Sequence, residues 1–110
     1  MRAFNNRIVH TKPKELMAWR KQIGYTVGRE VAVPSLQPIN IVLQFQLLKP
    51  KSATRIYPSV KPDLDKLIRA VLDALTGIAY LDDSQVIGIH ASKRYDTTQG
   101  VSIGVYEWNP

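Results

Sequence analysis

Two rhythms of apolar residues run through this chain. Between Pro38 and Pro50, the residues Ile39, Ile41, Leu43, Phe45 and Leu47 share one face, with Asn40, Gln44 and Gln46 on the other. A period of two predicts a strand with one face buried. Between Leu64 and Leu75 the steps become three and four. Leu64, Leu67, Ile68, Val71, Leu72 and Leu75 then fall on one stripe of a helix. Pro62 stands just outside, Asp63 occupies the N-cap position, and Gly77 offers a stop. The opposite face reads Asp65, Arg69, Asp73, a ladder of opposite charges four apart.

The remaining elements are read with less pattern. Leu16, Trp19 and Ile23 keep helical spacing, Thr11 can cap, and Pro13 suits a first turn. A helix is predicted over about 12–23, stopping at Gly24 or running on to 27. Residues 85–95 and 100–108 read as two strands joined by a hairpin through "DTTQ" and Gly100. Residues 49–62 hold three prolines, four basic residues and no periodicity, so they form a loop. Residues 1–10 are too short and mixed to assign. The expected architecture is α+β: a small mixed or antiparallel sheet of three clear strands with two helices packed on it, in one domain over 1–110.

Composition narrows the function. A chain of 110 residues is long enough for one core and too short for two. It has no cysteine, which removes disulfides, zinc–thiolate sites and thiol nucleophiles. No apolar run reaches membrane-span length and no signal-peptide pattern opens the chain. The expectation is a cytoplasmic protein with no membrane contact, encoding by a phage or prophage being left open. No glycine-rich phosphate loop or nucleotide fingerprint occurs, so no nucleotide cofactor is expected.

Charge is divided unevenly. The net +6 is the sum of +9 over residues 1–61 and −3 over 62–110. Asp63, Asp65, Asp73, Asp82 and Asp83 all fall within residues 60–86. A basic half beside an acidic cluster suits a polyanion partner and a cation-dependent step.

Taken singly, the acidic pairs have ordinary explanations. Aspartate caps helices, and Asp-Asp before a strand is a common turn. Taken together they have a geometry. The helix from Asp63 to Thr76 climbs roughly 20 Å at about 1.5 Å per residue. The segment from Gly77 to Asp83, if extended, spans up to roughly 23 Å. It therefore returns Asp82 and Asp83 toward Asp63 and Asp65, so that three or four carboxylates converge. Such a cluster needs neutralising, and hard oxygen donors select Mg²⁺ or Mn²⁺. An acidic metal site flanked by basic residues is what phosphodiester hydrolysis requires.

The stretch "KPDLDKLIRAVLDALTGIAYLDDSQV" resembles the RusA family of Holliday junction resolvases, or crossover junction endodeoxyribonucleases. The shared pattern is an Asp-x-Asp opening a helix (Asp63, Asp65) and a basic residue four further on (Arg69). Asp73-Ala74-Leu75, Gly77, Tyr80-Leu81 and Asp82-Asp83-Ser84-Gln85-Val86 follow. The elements "NNR" at Asn5–Arg7 and "SKRY" at Ser92–Tyr95 are similar to family elements as well. The resemblance implies a homodimeric, Mg²⁺-dependent endonuclease that makes paired nicks in four-way DNA junctions. It implies metal-binding catalytic carboxylates at Asp63, Asp65 and Asp83, with Asp82 as a further candidate ligand; strand parity does not choose between Asp82 and Asp83. Arg69 stands where the family usually has a catalytic lysine, and Lys66 where it usually has asparagine. Arginine can hold phosphate but is a poor proton donor. Relatives also place a strand ahead of the "NNR" element. Only four residues precede it here, so either the start is trimmed or a sheet edge is missing.

Lys49, Lys51, Arg55 and Lys61 lie in the loop just before Asp63 and are read as contacts to a DNA backbone, with Lys66 beside the site and Arg7 at the N-terminus. Tyr57 is a candidate to pack on an unstacked base, and Lys12 and Lys14 are weaker candidates. The competing reading of the loop is a mobile, solvated segment. His10 and His90 are isolated and are read as structural or surface residues, Trp19 as core. Two alternatives stay open: a junction-binding module of the same fold with impaired turnover, which Lys66 and Arg69 bring into view, and a capped helix with an acidic turn and no DNA role.

Overall fold

The computed structural model of the chain describes residues 2–9, 16–31 and 33–108, with side chains from Lys21 onward. The cap and first turn expected at Thr11 and Pro13, and the candidates His10, Lys12 and Lys14, lie outside the described residues. So do the side chains of Arg7 and Trp19. The elements run β1 (Arg2–Val9), α1 (Leu16–Gly28), β2 (Ile39–Leu48), α2 (Leu64–Leu75), a short 3₁₀ turn (Asp83–Gln85), β3 (Val86–Asp96) and β4 (Gly100–Glu107). The fold is α+β, a mixed sheet with two helices.

The sheet has four strands in the order β1-β4-β2-β3. β1 contains the Asn5–Arg7 element and pairs antiparallel with β4, Arg7 lying opposite Ile103. The Asn5–Arg7 element thus lies within the strand at this edge of the sheet and not after it. β2 runs antiparallel to β4 and parallel to β3. The expected hairpin between the last two strands is not formed, because β2 lies between them. Residues 97–99 instead cross the end of β2 to reach β4. Three residues suffice, since strands two places apart are about 10 Å from each other.

Period-two patterning in β2 is realised: Ile39, Ile41, Leu43, Phe45 and Leu47 are all buried. They meet Leu67, Ala70, Val71, Ala74 and Leu75 of α2, which carries the apolar stripe across this face. Each of the leucine, isoleucine, valine and phenylalanine side chains among them, once buried, contributes about 1.5–3 kcal/mol. Leu64, Ile68 and Leu72, also on the stripe, are only partly buried and lie at its margin.

Gly24 does not stop α1. A Cβ there would sit 3.1 Å from the Ile78 side chain and 3.5 Å from the Ala74 carbonyl. Its role is to let α1 approach α2, and the helix runs on through the buried Val27. Gly77 does end α2: its φ of 85° is open to glycine without strain. No described helix is long and apolar enough to cross a membrane.

Candidate active site

α2 begins where the loop after β2 ends, so its first turn is carried on the apolar stripe while Asp63, Asp65 and Lys66 remain exposed. Asp63 occupies the N-cap position with extended dihedrals, yet its side chain makes no capping hydrogen bond. It faces Lys66 Nζ at 3.8 Å instead. Capping, the ordinary explanation for an aspartate at this position, does not account for this carboxylate.

Asp65, Arg69 and Asp73 line one cleft of about 500 Å³, together with Asp83 and the apolar margin residues Ile68 and Leu72. The charge ladder expected along this face is not closed by contacts. The side chains of Asp65 and Arg69 make no hydrogen bond or ion pair with any described residue. Both side chains thus border the cleft without a side-chain partner, Asp65 from the first turn of α2.

Asp82 and Asp83 diverge. Asp82 accepts a 2.9 Å hydrogen bond from the Ser84 amide. It forms a capping box with Gln85 at the 3₁₀ turn. Its carboxyl is held below the usual carboxylate range by the Ser84 backbone amide, then by the Ser84 side chain. Asp83 is directed to the cleft. The choice that strand parity left open therefore has a structural distinction: Asp82 serves the turn, and Asp83 faces the cleft.

The carboxylates converge less tightly than an extended return predicts. Gly77 to Tyr80 form a closed turn, with the Gly77 amide donating to the Tyr80 carbonyl at 2.6 Å, and so span little length. Asp83 consequently reaches the cleft near Asp73; both carboxylates bear on the buried Tyr80 hydroxyl. Asp63 stays with Lys66 and is not among the residues lining the cleft. Among the described residues no three His, Asp or Glu side chains are grouped closely enough to enclose a metal ion. The donor chemistry nonetheless fits one class of ion. Exposed all-oxygen donors around open space suit Mg²⁺, which typically takes one or two carboxylates, keeps several waters and completes its shell with substrate phosphate.

Beneath the cleft, Tyr80 is fully buried and its hydroxyl donates to the Leu72 carbonyl at 3.3 Å. Burial first, and then the Asp83 and Asp73 charges, push its pKa up to about 12. Gln85, which sequence reading treated only as part of a motif, fixes the turn that carries Asp83. Its side-chain oxygen accepts from the Leu81 and Asp82 amides, and its nitrogen donates to the Ser35 and Gln37 carbonyls. A glutamine three residues after Asp82 was the available signal, as the N3 member of a capping box.

The basic loop sits beside the first turn of α2. Lys49, Lys51 and Lys61 are exposed, as is Lys66. Arg55 is half-buried, its Nε donating to the Tyr95 hydroxyl at 2.8 Å. Tyr57 and Ile56 project from the loop, 74 % and 76 % exposed. His90 lies on an exposed position of β3, as a surface residue would.

Comparison with known proteins agrees with this arrangement. An uncharacterized protein, YqaN, of Bacillus subtilis (strain 168) is 40 % identical over 50 residues, a match covering 46 % of this chain and 35 % of that protein. The model of the family described as endodeoxyribonuclease RusA matches residues 2–106, from β1 through β4. That match takes in the acidic cleft, the basic loop and the whole sheet, and on it the chain belongs to the RusA endodeoxyribonuclease family.

Proposed function

We propose that this protein is a structure-selective DNA endonuclease that resolves four-way junctions by paired nicks, acting as a homodimer with one site for each of two strands. The observation that carries the reading is the state of Asp65 and Arg69. Both are charged, neither is engaged by the described fold, and both line one cleft with Asp83. A carboxylate and a guanidinium with no side-chain partner, set in one cleft with a second carboxylate, are available to take a hard cation and a phosphate.

Asp65 and Asp83, with Asp63 at the rim, would hold Mg²⁺ or Mn²⁺, and Asp82 would support the turn. When bound, the ion lowers the pKa of a water and polarises a phosphate oxygen. Arg69 holds the scissile phosphate and stabilises the charge that builds on its oxygens, a role that asks for fixed positive charge and not for a transferable proton. Lys49, Lys51, Arg55, Lys61 and Lys66 neutralise the backbone of the arm leading into the cleft, with Arg7 as a further contact. Tyr57, exposed at the tip of the loop, packs on a base unstacked near the branch point.

One observation favours a second reading. Lys66 lies 3.8 Å from Asp63 and competes with a cation for that carboxylate. A chain in which Lys66 prevails binds junctions without cutting them. The two readings separate on Asp83→Asn. In the first, the substitution removes nicking and leaves junction binding intact. In the second, the wild-type chain already behaves as the substituted one does.

A further inference from the structure

The loop over residues 49–62 has little apolar attachment. Ile56, Tyr57 and Val60 are 76 %, 74 % and 45 % exposed, and Pro58 is its buried residue. A cavity of about 130 Å³ lies between the loop and the end of β3, bordered by Arg55, Val60, Lys61 and Tyr95. A segment so poorly buried is expected to be mobile unless polar contacts hold it.

Two residues of β3 supply those contacts. Lys93 and Tyr95 lie opposite the buried Phe45 and Leu47 of β2, on the face of the sheet that the helices cover. Lys93 Nζ donates to the Val60 carbonyl at 2.7 Å and to the Pro62 carbonyl at 2.8 Å. Pro62 is the residue immediately before Asp63. Tyr95 accepts from Arg55 Nε at 2.8 Å, and its ring lies within 6.0 Å of Lys49 and 5.8 Å of Arg55. Charge-assisted bonds of this length are the stronger class of protein hydrogen bond. Both of the Lys93 acceptors are neutral, and no described carboxylate pairs with it. Its charge is therefore retained at the junction of the basic loop and the acidic helix start.

We propose that Lys93 and Tyr95 clamp the 49–62 loop to β3, and that Lys93 is a positioning residue for Asp63. The clamp holds the cations of the loop in one orientation toward a DNA backbone, and the Lys93 bond to Pro62 sets where the first turn of α2 begins. The positioning role rests on the metal-site reading above; the clamp does not.

The test uses the full chain without DNA. Hydrogen exchange is followed at the amides of Ala53, Ser59 and Leu67, which bond to Pro50, Tyr57 and Asp63. In Lys93→Met, exchange at Ser59 and Leu67 is expected to rise about tenfold or more, as loss of a charged hydrogen bond implies. Ile41 and Ile103 in the central strands should stay unchanged, and Lys93→Arg should restore protection. Tyr95→Phe should speed Ala53 and leave Leu67 unaffected. Unchanged exchange in Lys93→Met, or an equal rise at Ile41 and Ile103, overturns the clamp. Mn²⁺ binding by calorimetry tests the positioning role: Lys93→Met should weaken it roughly tenfold, at the low end of what losing an outer support of a metal ligand costs. A loosened loop with wild-type Mn²⁺ affinity overturns that role. A wild-type chain that binds no Mn²⁺ overturns the metal site and the positioning role together, while the exchange result still decides the clamp.

Discussion

The side-chain amide of Gln85 donates to the carbonyl of Ser35 across 2.9 Å, joining the start of β3 to a loop 50 residues earlier in the chain. With a second donation to Gln37 and acceptance from Leu81 and Asp82, one amide satisfies four backbone groups around the Asp82–Asp83 turn. Gln85→Ala should lower unfolding free energy by about 2 kcal/mol, the cost of leaving such groups unpaired. Gln85→Glu keeps the acceptor but sets a carboxylate against two carbonyls. It should therefore cost more at pH 7 than at pH 4. Urea unfolding at the two pH values measures both effects, and wild-type stability in either variant would refute the role.

Tyr80 predicts the alkaline limb of stability. Its pKa in the folded chain is raised to about 12 from 10.0. The folded state thus keeps a proton that the unfolded state releases. The contribution is complete below pH 10 and declines as pH rises toward 12. Thermal melts across this range should show the loss, and Tyr80→Phe should flatten it. An alkaline limb unchanged in Tyr80→Phe would mean that other groups set it.

Asp82 and Asp83 should respond differently to the same substitution. Asn at 82 can still accept from the Ser84 amide, so Asp82→Asn should retain most cleavage. Asp83→Asn removes a charge from the cleft and should lower single-turnover cleavage of a four-way junction by roughly 100-fold or more, as deletion of an electrostatic group at a reacting centre does. Equal losses in the two variants would place both carboxylates at the chemistry.

Arg69 separates charge from proton donation. Arg69→Ala should reduce the cleavage rate by about 100-fold, whereas Arg69→Lys should keep most of it. Junction binding in EDTA should change little in either, since one phosphate contact among many is lost. A wild-type rate in Arg69→Ala would remove the residue from the mechanism.

The strands and helices whose faces differ in polarity were legible in the sequence. β2 and α2 each bury one face, and a single period describes each of them. β1 was not legible: "RAFNNRIV" lacks a regular alternation, and its strand state is set by pairing with β4. The order of the last two strands was not legible either. A short link reads as a hairpin, and only the insertion of β2 between the strands shows otherwise. At the candidate site, the motif picked out the carboxylates but not their surroundings. These depend on the closed turn at Gly77–Tyr80, which shortens the return, and on a Ser84 amide that engages Asp82. The contacts of Lys93, within the "SKRY" element, were not legible because its acceptors lie 33 and 31 residues away.

The account turns on whether the cleft formed by Asp65, Arg69 and Asp83 cuts branched DNA. The direct measurement is cleavage of a synthetic four-way junction and of linear duplex, in Mg²⁺ and in EDTA, by the wild-type chain, Asp65→Asn and Asp83→Asn. The account predicts paired nicks in the junction in Mg²⁺, little cutting of duplex and none in EDTA. It predicts a loss of roughly 100-fold or more in both variants, with junction binding retained. Full activity in either variant, or nicking that persists in EDTA, would contradict it.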